Sequence, residues 1–311
     1  MTQTIPDPGR RRMLNRTAAL ALGLAARDTR SQTRMQTIAR RAIPSSSEML
    51  PMIGLGTYQV FDVDANAQDL APLEDVMRAF VAHGASVVDS SPMYGNAESI
   101  AGELSARLDL RKQLFLATKV WTTGKDAGIA QMEQSFRRMR TDRMDLMQVH
   151  NLQDWRTHLE TLEAWKAKGR VRYLGITHYH SGAYAELERL LRMRVWDFVQ
   201  LNFSLAERDA QDRLLPLAAE LGVAVIVNRP FAQGSLFSRV RGKPLPEWAS
   251  QFDCTSWAQY FLKWIVSHPA VTCVIPASRK KEHTEDNLRA GLGRLPDAAT
   301  RQRMAEWFDG L

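Results

Sequence analysis

The sequence has little cysteine, and its two cysteines are not spaced as metal ligands. Cys254 and Cys273 are the only cysteines among 311 residues. Zinc sites and small disulfide scaffolds place more cysteines closer together. The sequence therefore argues against a cysteine-based zinc site and a disulfide framework, and we predict no metal site.

The sequence also lacks a long apolar run. The most apolar stretch near the N-terminus covers only residues 17–26. A helix needs about 20 apolar residues to cross the hydrocarbon core of a bilayer. We therefore predict no stable insertion into a membrane.

The body of the chain has no excess of either charge, although the formal net charge is +7. Nine of the 41 basic residues are arginines within residues 1–42, a segment with only two acidic residues. The remainder holds 32 residues of each sign. A neutral body is not the electrostatic footprint of a nucleic-acid-binding protein, so we predict no nucleic-acid partner.

The basic N-terminal segment resembles a targeting signal. Its residues Gly9-Arg10-Arg11-Arg12-Met13-Leu14-Asn15, with the apolar stretch after them, resemble the start of a twin-arginine export signal. We expect residues 1–35 to be a leader that addresses the protein to the export machinery and the periplasm. The alternative is a disordered basic leader, or a start codon assigned too far upstream, on a cytoplasmic protein. In either case residues 36–311 form the folded domain.

Eight short apolar runs alternate with amphipathic stretches along this domain. They cover residues 52–58, 86–90, 114–120, 144–150, 172–177, 198–203, 224–228 and 272–276. Runs of this kind are typical of strands buried on both faces, and eight strand–helix units predict a closed (β/α)8 (TIM) barrel. The structural runner-up is a doubly wound open sheet, but no Gly-x-Gly-x-x-Gly turn follows an early strand. The turn cluster Pro44-Ser45-Ser46-Ser47 predicts an N-terminal β-hairpin that closes the bottom of the barrel.

Four ionisable residues follow or end successive predicted strands. Asp89 ends the second strand, Tyr94 lies in the next loop, and Lys119 and His150 end the third and fourth strands. Each alone is as well explained by packing or capping, but active sites of such barrels form where the strands end. Together they suit the reduction of a carbonyl. Tyr94 would donate the proton as general acid, with its pKa lowered by Lys119, while Asp89 holds the ammonium and His150 orients the carbonyl oxygen.

Three segments that carry these residues resemble the aldo-keto reductase superfamily. They are Asp89-Ser-Ser-Pro-Met-Tyr94-Gly95, Thr118-Lys119-Val120-Trp121 and Gln148-Val149-His150-Asn151. The resemblance runs from about Leu50 to the last helix. It implies an oxidoreductase that reduces aldehydes or ketones to alcohols with a nicotinamide cofactor.

The resemblance also implies which residues bind the cofactor. Those implied near the nicotinamide and its ribose are Thr57, Asp89, Thr177, His178 and Gln200. The segment after the seventh strand contributes Asn228 and Arg229. Those implied near the adenosine phosphate and the adenine are Ser278, Arg279, Asp286 and Asn287.

Two departures from the family pattern affect the cofactor prediction. The segment Asn228-Arg229-Pro230-Phe231 lacks the aromatic residue that stacks on the nicotinamide in many relatives, so that stack is absent or supplied by Phe203. Ala277 replaces a common lysine, and His283 a common arginine. NADP(H) is favoured because Ser278 and Arg279 are present, but the sequence also allows NAD(H).

The substrate is the least defined part of the prediction. If the fold is a barrel, four residues should line an open, apolar mouth: Tyr58, Met93, Trp121 and Trp155.

One alternative function is a cofactor-binding redox sensor or regulatory barrel with little turnover. A second is a metal hydrolase using His178 and His180, but no carboxylate cluster supports it.

Overall fold

The computed structural model of this protein describes residues 37–311, and the predicted leader lies outside them. In this part of the chain, a two-stranded hairpin precedes eight parallel strands that alternate with helices. The hairpin strands are β1 (Arg40–Ala42) and β2 (Met49–Pro51). The barrel strands are β3 (Leu55–Gly56), β4 (Val87–Asp89), β5 (Phe115–Val120), β6 (Met144–His150), β7 (Val171–Thr177), β8 (Phe198–Asn202), β9 (Ala224–Asn228) and β10 (Val271–Val274).

Most of the helices that cover the strands are amphipathic and bury one face, whereas one of them is buried on all sides over residues 259–266. Asn66, Ser256 and Asp297 cap three of them by accepting a hydrogen bond from a backbone N–H in the first turn. The helices are α1 (Ala67–Ala82), α2 (Ala97–Arg107), α3 (Lys125–Arg138), α4 (Trp155–Ala167), α5 (Tyr184–Leu191), α6 (Leu214–Leu221), α7 (Ser235–Arg239), α8 (Trp257–Val266), α9 (Lys281–Arg289) and α10 (Ala298–Asp309). Between residues 37 and 311, no helix is both long and apolar enough to cross a membrane.

The strands pair in chain order, and the first also meets the last. The Gly54 N–H donates to the Val274 carbonyl at 2.8 Å, and the Val274 N–H donates to the Met52 carbonyl at 2.9 Å. The predicted (β/α)8 barrel is therefore confirmed. Parallel strands joined by helices bring all eight carboxyl ends to one face.

Every second residue of a strand points into the barrel. These side chains form an apolar layer along the first part of the strands and a polar layer at their carboxyl ends. On β5, Phe115 and Ala117 belong to the interior apolar cluster, and Lys119 is the next residue on the same face. On β6, Leu146 belongs to that cluster and is followed by Gln148 and His150. The functional side chains therefore lie in the last inward-facing positions, at the carboxyl ends of the strands.

The predicted hairpin is present and closes the other end of the barrel. Ile43, in its turn, and Leu50, on β2, are buried within the interior apolar cluster. The Tyr173 hydroxyl lies 2.7 Å from both the Ser46 hydroxyl and the Glu48 carboxylate, which fastens the hairpin to β7. The apolar interior is thus shielded from solvent at the end opposite the polar layer.

Candidate active site

Lys119 and Asp89 form a buried ion pair at the centre of the polar layer. The Lys119 Nζ lies 2.6 Å from Asp89 Oδ2 and donates a second hydrogen bond of 2.6 Å to the Ser90 carbonyl. Burial opposes the charge on Lys119, but Asp89 and Tyr94 together more than offset it. The pKa of the ammonium is therefore raised, and Lys119 is charged at neutral pH.

The second oxygen of Asp89 is held by two glutamine amides. Asp89 Oδ1 accepts hydrogen bonds from Gln148 Nε2 at 3.0 Å and from Gln200 Nε2 at 2.9 Å. A buried carboxylate that accepts from three side chains is fixed in position. Gln148 was not assigned a role from the sequence, although its place two residues before His150 puts it on the same inward face.

Tyr94 lies beside this ion pair, in the loop after β4. Its ring centroid is 5.0 Å from Lys119 Nζ and 5.8 Å from the centroid of the His150 imidazole. Burial raises the pKa of the Tyr94 phenol, and the ammonium of Lys119 offsets only part of the rise. The expected lowering by Lys119 is thus present, but the net shift has the opposite sign because desolvation is larger.

The backbone after Tyr94 requires a glycine. Gly95 has a φ of +58°, and a Cβ there would lie 2.1 Å from Asp62 Oδ1. The same Asp62 oxygen accepts a hydrogen bond of 2.9 Å from the Asn96 N–H. This close contact fastens the loop after β3 to the loop that carries Tyr94.

His150 is a neutral imidazole at the wall of the site. Burial, with the nearby charges of Lys119 and His178, lowers its pKa to about 2. Its Nδ1 lies 3.0 Å from the Ser91 hydroxyl. When that hydroxyl donates to Nδ1, the single ring N–H is on Nε2 and is available to bind an oxygen.

Of the four residues predicted to line the mouth, three are exposed there. Tyr58, Met93 and Trp121 expose 49, 39 and 39% of their surface. The Tyr58 ring lies 4.9 Å from that of Tyr94, and the Trp121 ring 6.4 Å from that of His150. Together they form an aromatic and thioether rim around the proton-donor candidate.

Trp155, predicted at the mouth, and Phe203, offered as one alternative for the stacking ring, are both buried. Trp155 belongs to the main hydrophobic core and is covered by the guanidinium groups of Arg156 and Arg189, so we assign it to packing rather than to the mouth. Phe203 is fully buried, with its ring 4.8 Å from that of Trp264. The suggestion that Phe203 supplies a stacking ring is therefore wrong, because its side chain packs outward against α8.

The residues predicted to hold the nicotinamide half of the cofactor lie together around the polar layer. Thr57 Oγ1 lies 3.0 Å from the Asp89 carbonyl, and Thr177 Oγ1 donates to Gln200 Oε1 at 3.2 Å. Asn228 Nδ2 donates to the His178 carbonyl at 3.0 Å. These contacts orient the three side chains but leave one of their polar atoms, Asn228 Oδ1, without a partner among residues 37–311.

Two polar atoms at the end of β9 are buried and lack a hydrogen-bond partner within the described part of the chain: Asn228 Oδ1 and Arg229 Nε. Arg229 also has a φ of +51°, which is uncommon for a residue other than glycine. Leaving such groups unpaired costs free energy. The Arg229 guanidinium already binds the Glu207 carboxylate and the Tyr179 carbonyl, so of the two atoms it is Asn228 Oδ1 that suits a polar ligand. The residues present thus fit a nicotinamide cofactor.

The residues predicted for the adenosine end lie just before α9 and in its second half, and are largely engaged by protein groups. Asp286 accepts hydrogen bonds of 2.6 Å from the Ser256 hydroxyl and the Gln259 amide. Arg279 donates from Nε to the Val60 carbonyl and from Nη2 to the Gln59 carbonyl, both at 3.2 Å. Ser278 and Asn287 are buried nearby.

The two imidazoles considered as metal ligands lie edge to face, with an angle of 75° between their planes. The ring centroids of His178 and His180 are 4.3 Å apart. Residues 37–311 contain no group of three or more histidine, cysteine, aspartate or glutamate side chains that could hold a metal ion.

Two relatives with known names match this chain along most of its length. The chain is 29% identical over 255 residues to methylglyoxal reductase YeaE of Escherichia coli (strain K12), a match that covers 78% of this chain and 86% of that one. It is 24% identical over 246 residues to glyoxal reductase of Bacillus subtilis (strain 168), covering 76% of this chain and 82% of the relative.

Solved structures match the barrel along most of its length. An aldo/keto reductase from Klebsiella pneumoniae in complex with NADP and acetate superposes with a TM-score of 0.70 at 25% identity, covering 84% of this chain and 93% of that one. Residues 52–302 of this chain match the Aldo/keto reductase family, which accounts for most of the barrel. The chain belongs to the Aldo/keto reductase family.

Proposed function

We propose that this protein reduces aldehydes or ketones to alcohols with NADPH, using Tyr94 as the proton donor. The observation that carries the proposal is the contact of Tyr94 with the buried Lys119–Asp89 pair under an exposed aromatic rim. When bound, the nicotinamide supplies the hydride that reduces the carbonyl carbon.

The side chains of this site divide the remaining work. The neutral His150 binds the carbonyl oxygen through its N–H and holds it near the Tyr94 hydroxyl. The phenol is protonated at neutral pH, because burial raises its pKa, and it transfers its proton to the oxygen as the alcohol forms. The Lys119 ammonium stabilises the resulting phenolate until solvent returns the proton.

NADP(H) is our choice of cofactor, and three features support it. Asn228 offers a buried oxygen, unpaired within residues 37–311, near the nicotinamide residues, and Arg279 provides a guanidinium near the adenosine end. The relative from Klebsiella pneumoniae was solved with NADP.

Small 2-oxoaldehydes are the first substrates to test, because two relatives are named as methylglyoxal and glyoxal reductases.

The test is steady-state oxidation of NADPH by the purified protein with a panel of aldehydes, including methylglyoxal. We expect sustained turnover that depends on the aldehyde. A single burst of oxidation without turnover would instead support the redox-sensor function.

We also infer that residues 1–35 act as a twin-arginine leader that directs the protein to the periplasm. The argument is the Arg10-Arg11-Arg12 run followed by a short apolar stretch. The barrel closes within residues 37–311, so the fold does not require the leader.

A further inference from the structure

Trp121 lies on a short loop in which every residue makes a hydrogen bond to another part of the chain. We name residues 121–124, between β5 and α3, the tryptophan loop. Thr122 accepts a hydrogen bond at its carbonyl from His158 Nε2 at 2.8 Å, and the Gly124 N–H donates to Asp154 Oδ2 at 2.8 Å. Gln153 Nε2 donates to the Thr123 hydroxyl at 3.2 Å. These three contacts tie the loop to the segment that follows His150.

The contact on Trp121 itself comes from α3. Gln131 Oε1 accepts from the Trp121 N–H at 2.6 Å, and Gln131 Nε2 donates to the Trp121 carbonyl at 3.0 Å. A single amide group thus satisfies both backbone polar groups of one residue. This two-point contact restricts both translation and rotation of the backbone from which the indole projects.

The indole held in this way lies at the mouth of the site. It is 39% exposed, its ring is 6.4 Å from that of His150, and it follows Lys119 by two residues. A small aldehyde that reaches Tyr94 and His150 need not contact this rim, whereas a larger one must pack against it. The position of the indole therefore affects large substrates more than small ones.

We propose that Gln131 is a positioning residue for substrate selection, holding Trp121 as the wall against which larger aldehydes bind. The proposal rests on the proposed function, because it assumes that carbonyl substrates enter between Trp121 and Tyr58. Gln131 touches neither the reacting atoms nor the cofactor residues, and it acts through the backbone of Trp121.

The first experiment compares Gln131→Leu with Gln134→Leu in the full chain. Gln134 lies on the same helix but is exposed to solvent. We expect Gln131→Leu to raise KM for an aromatic aldehyde by roughly threefold to tenfold, the effect of losing about one net hydrogen bond. Both kcat and the KM for methylglyoxal should be nearly unchanged, as should every constant of Gln134→Leu. In Gln131→Glu, which keeps the acceptor but loses the donor, the rise should be smaller than in Gln131→Leu.

The second experiment measures the surroundings of the Trp121 indole by fluorine NMR and does not depend on turnover. With 5-fluorotryptophan in place of the eight tryptophans, the fluorine resonance of Trp121 is identified by its loss in Trp121→Phe. We expect this resonance to shift or broaden in Gln131→Leu and to stay in place in Gln134→Leu.

The two experiments separate the two proposals. An unchanged Trp121 resonance in Gln131→Leu, or equal KM changes for small and large aldehydes, would overturn the positioning role. A wild-type protein that turns over no aldehyde with NADPH would contradict the proposed function, while the resonance would still decide whether Gln131 positions the indole.

Discussion

At the scale of single residues, burial sets the charge states around Tyr94. Desolvation raises the pKa of the phenol and lowers that of His150, while Asp89 and Tyr94 keep Lys119 charged. The site therefore contains a neutral acid, a neutral imidazole and a compensated ion pair. The sequence predicted the four residue types, but not the sign of the Tyr94 shift, because the depth of a side chain depends on packing across the whole barrel.

The low pKa of His150 predicts a stability that depends on pH. In the unfolded chain this imidazole binds a proton below its ordinary pKa of 6.5, whereas in the folded protein it stays neutral down to about 2. The unfolded state thus binds more protons in that window, and stability falls as pH drops below 6.5. His150 should contribute up to about 1.4 kcal/mol of destabilisation per pH unit there. Urea unfolding at pH 7 and pH 5 measures it.

The control for this prediction is His150→Gln, which removes the titrating group. Its free energy of unfolding should depend less steeply on pH than that of the wild type. Identical slopes for the two proteins would show that His150 does not titrate on unfolding.

We predict that the guanidinium of Arg279 makes the protein prefer NADP to NAD. The 2′-phosphate of NADP carries about two negative charges, and a guanidinium can pair with it. Arg279→Ala should weaken NADPH binding by roughly 1.5–3 kcal/mol and hardly change NADH binding. The measurement is fluorescence titration with each cofactor at low and high salt, since the NADPH loss should shrink as salt screens the charge.

The structure supplies the competing explanation for Arg279. Its guanidinium donates to the carbonyls of Gln59 and Val60, so it also supports the loop that carries Tyr58. Equal losses for both cofactors would assign Arg279 to that structural role alone.

At the scale of elements, the eight short apolar runs, separated by amphipathic stretches, were the most informative signal. They predicted the strands, and the carboxyl ends of β4, β5 and β6 bring Asp89, Lys119 and His150 together. Phe203 and Trp155 lie outside the strands, so the apolar runs do not indicate where their side chains pack. The Gln131–Trp121 contact joins a helix to a loop, and no local pattern indicates it.

Because the barrel closes at Gly56, we predict that only glycine fits at this position without cost to stability. A Cβ there would lie 2.9 Å from the Ile275 carbonyl, in the seam between the first barrel strand and the segment after β10. Gly56→Ala should therefore destabilise the fold by about 1–3 kcal/mol, as overpacking does in well-packed cores. Thermal unfolding measures the loss.

Gly310→Ala is the matched control for this substitution. Its Cβ would meet its nearest neighbour at 3.6 Å, which is ordinary contact. A Gly56→Ala protein as stable as Gly310→Ala would show that the seam can separate without cost.

At the scale of the whole molecule, most of the net positive charge lies outside the barrel: residues 1–36 hold seven arginines and two aspartates, a net of +5 out of +7. Because the barrel is complete within residues 37–311, deletion of residues 1–35 should leave activity and thermal stability in vitro unchanged. In the native host, replacing both Arg10 and Arg11 by lysine should move the protein from periplasm to cytoplasm. Cell fractionation tests this, and a wild-type protein found entirely in the cytoplasm would contradict the export proposal.

The most direct test of the whole account is the rate of carbonyl reduction by Tyr94→Phe. General acid catalysis contributes roughly 10²- to 10⁴-fold, so NADPH oxidation with methylglyoxal should slow by that factor or more. The affinity for NADPH, measured by fluorescence titration of the same preparation, should be nearly unchanged, because the phenol is assigned to the substrate and not to the cofactor. A Tyr94→Phe protein that keeps about half the wild-type rate would contradict Tyr94 as the proton donor.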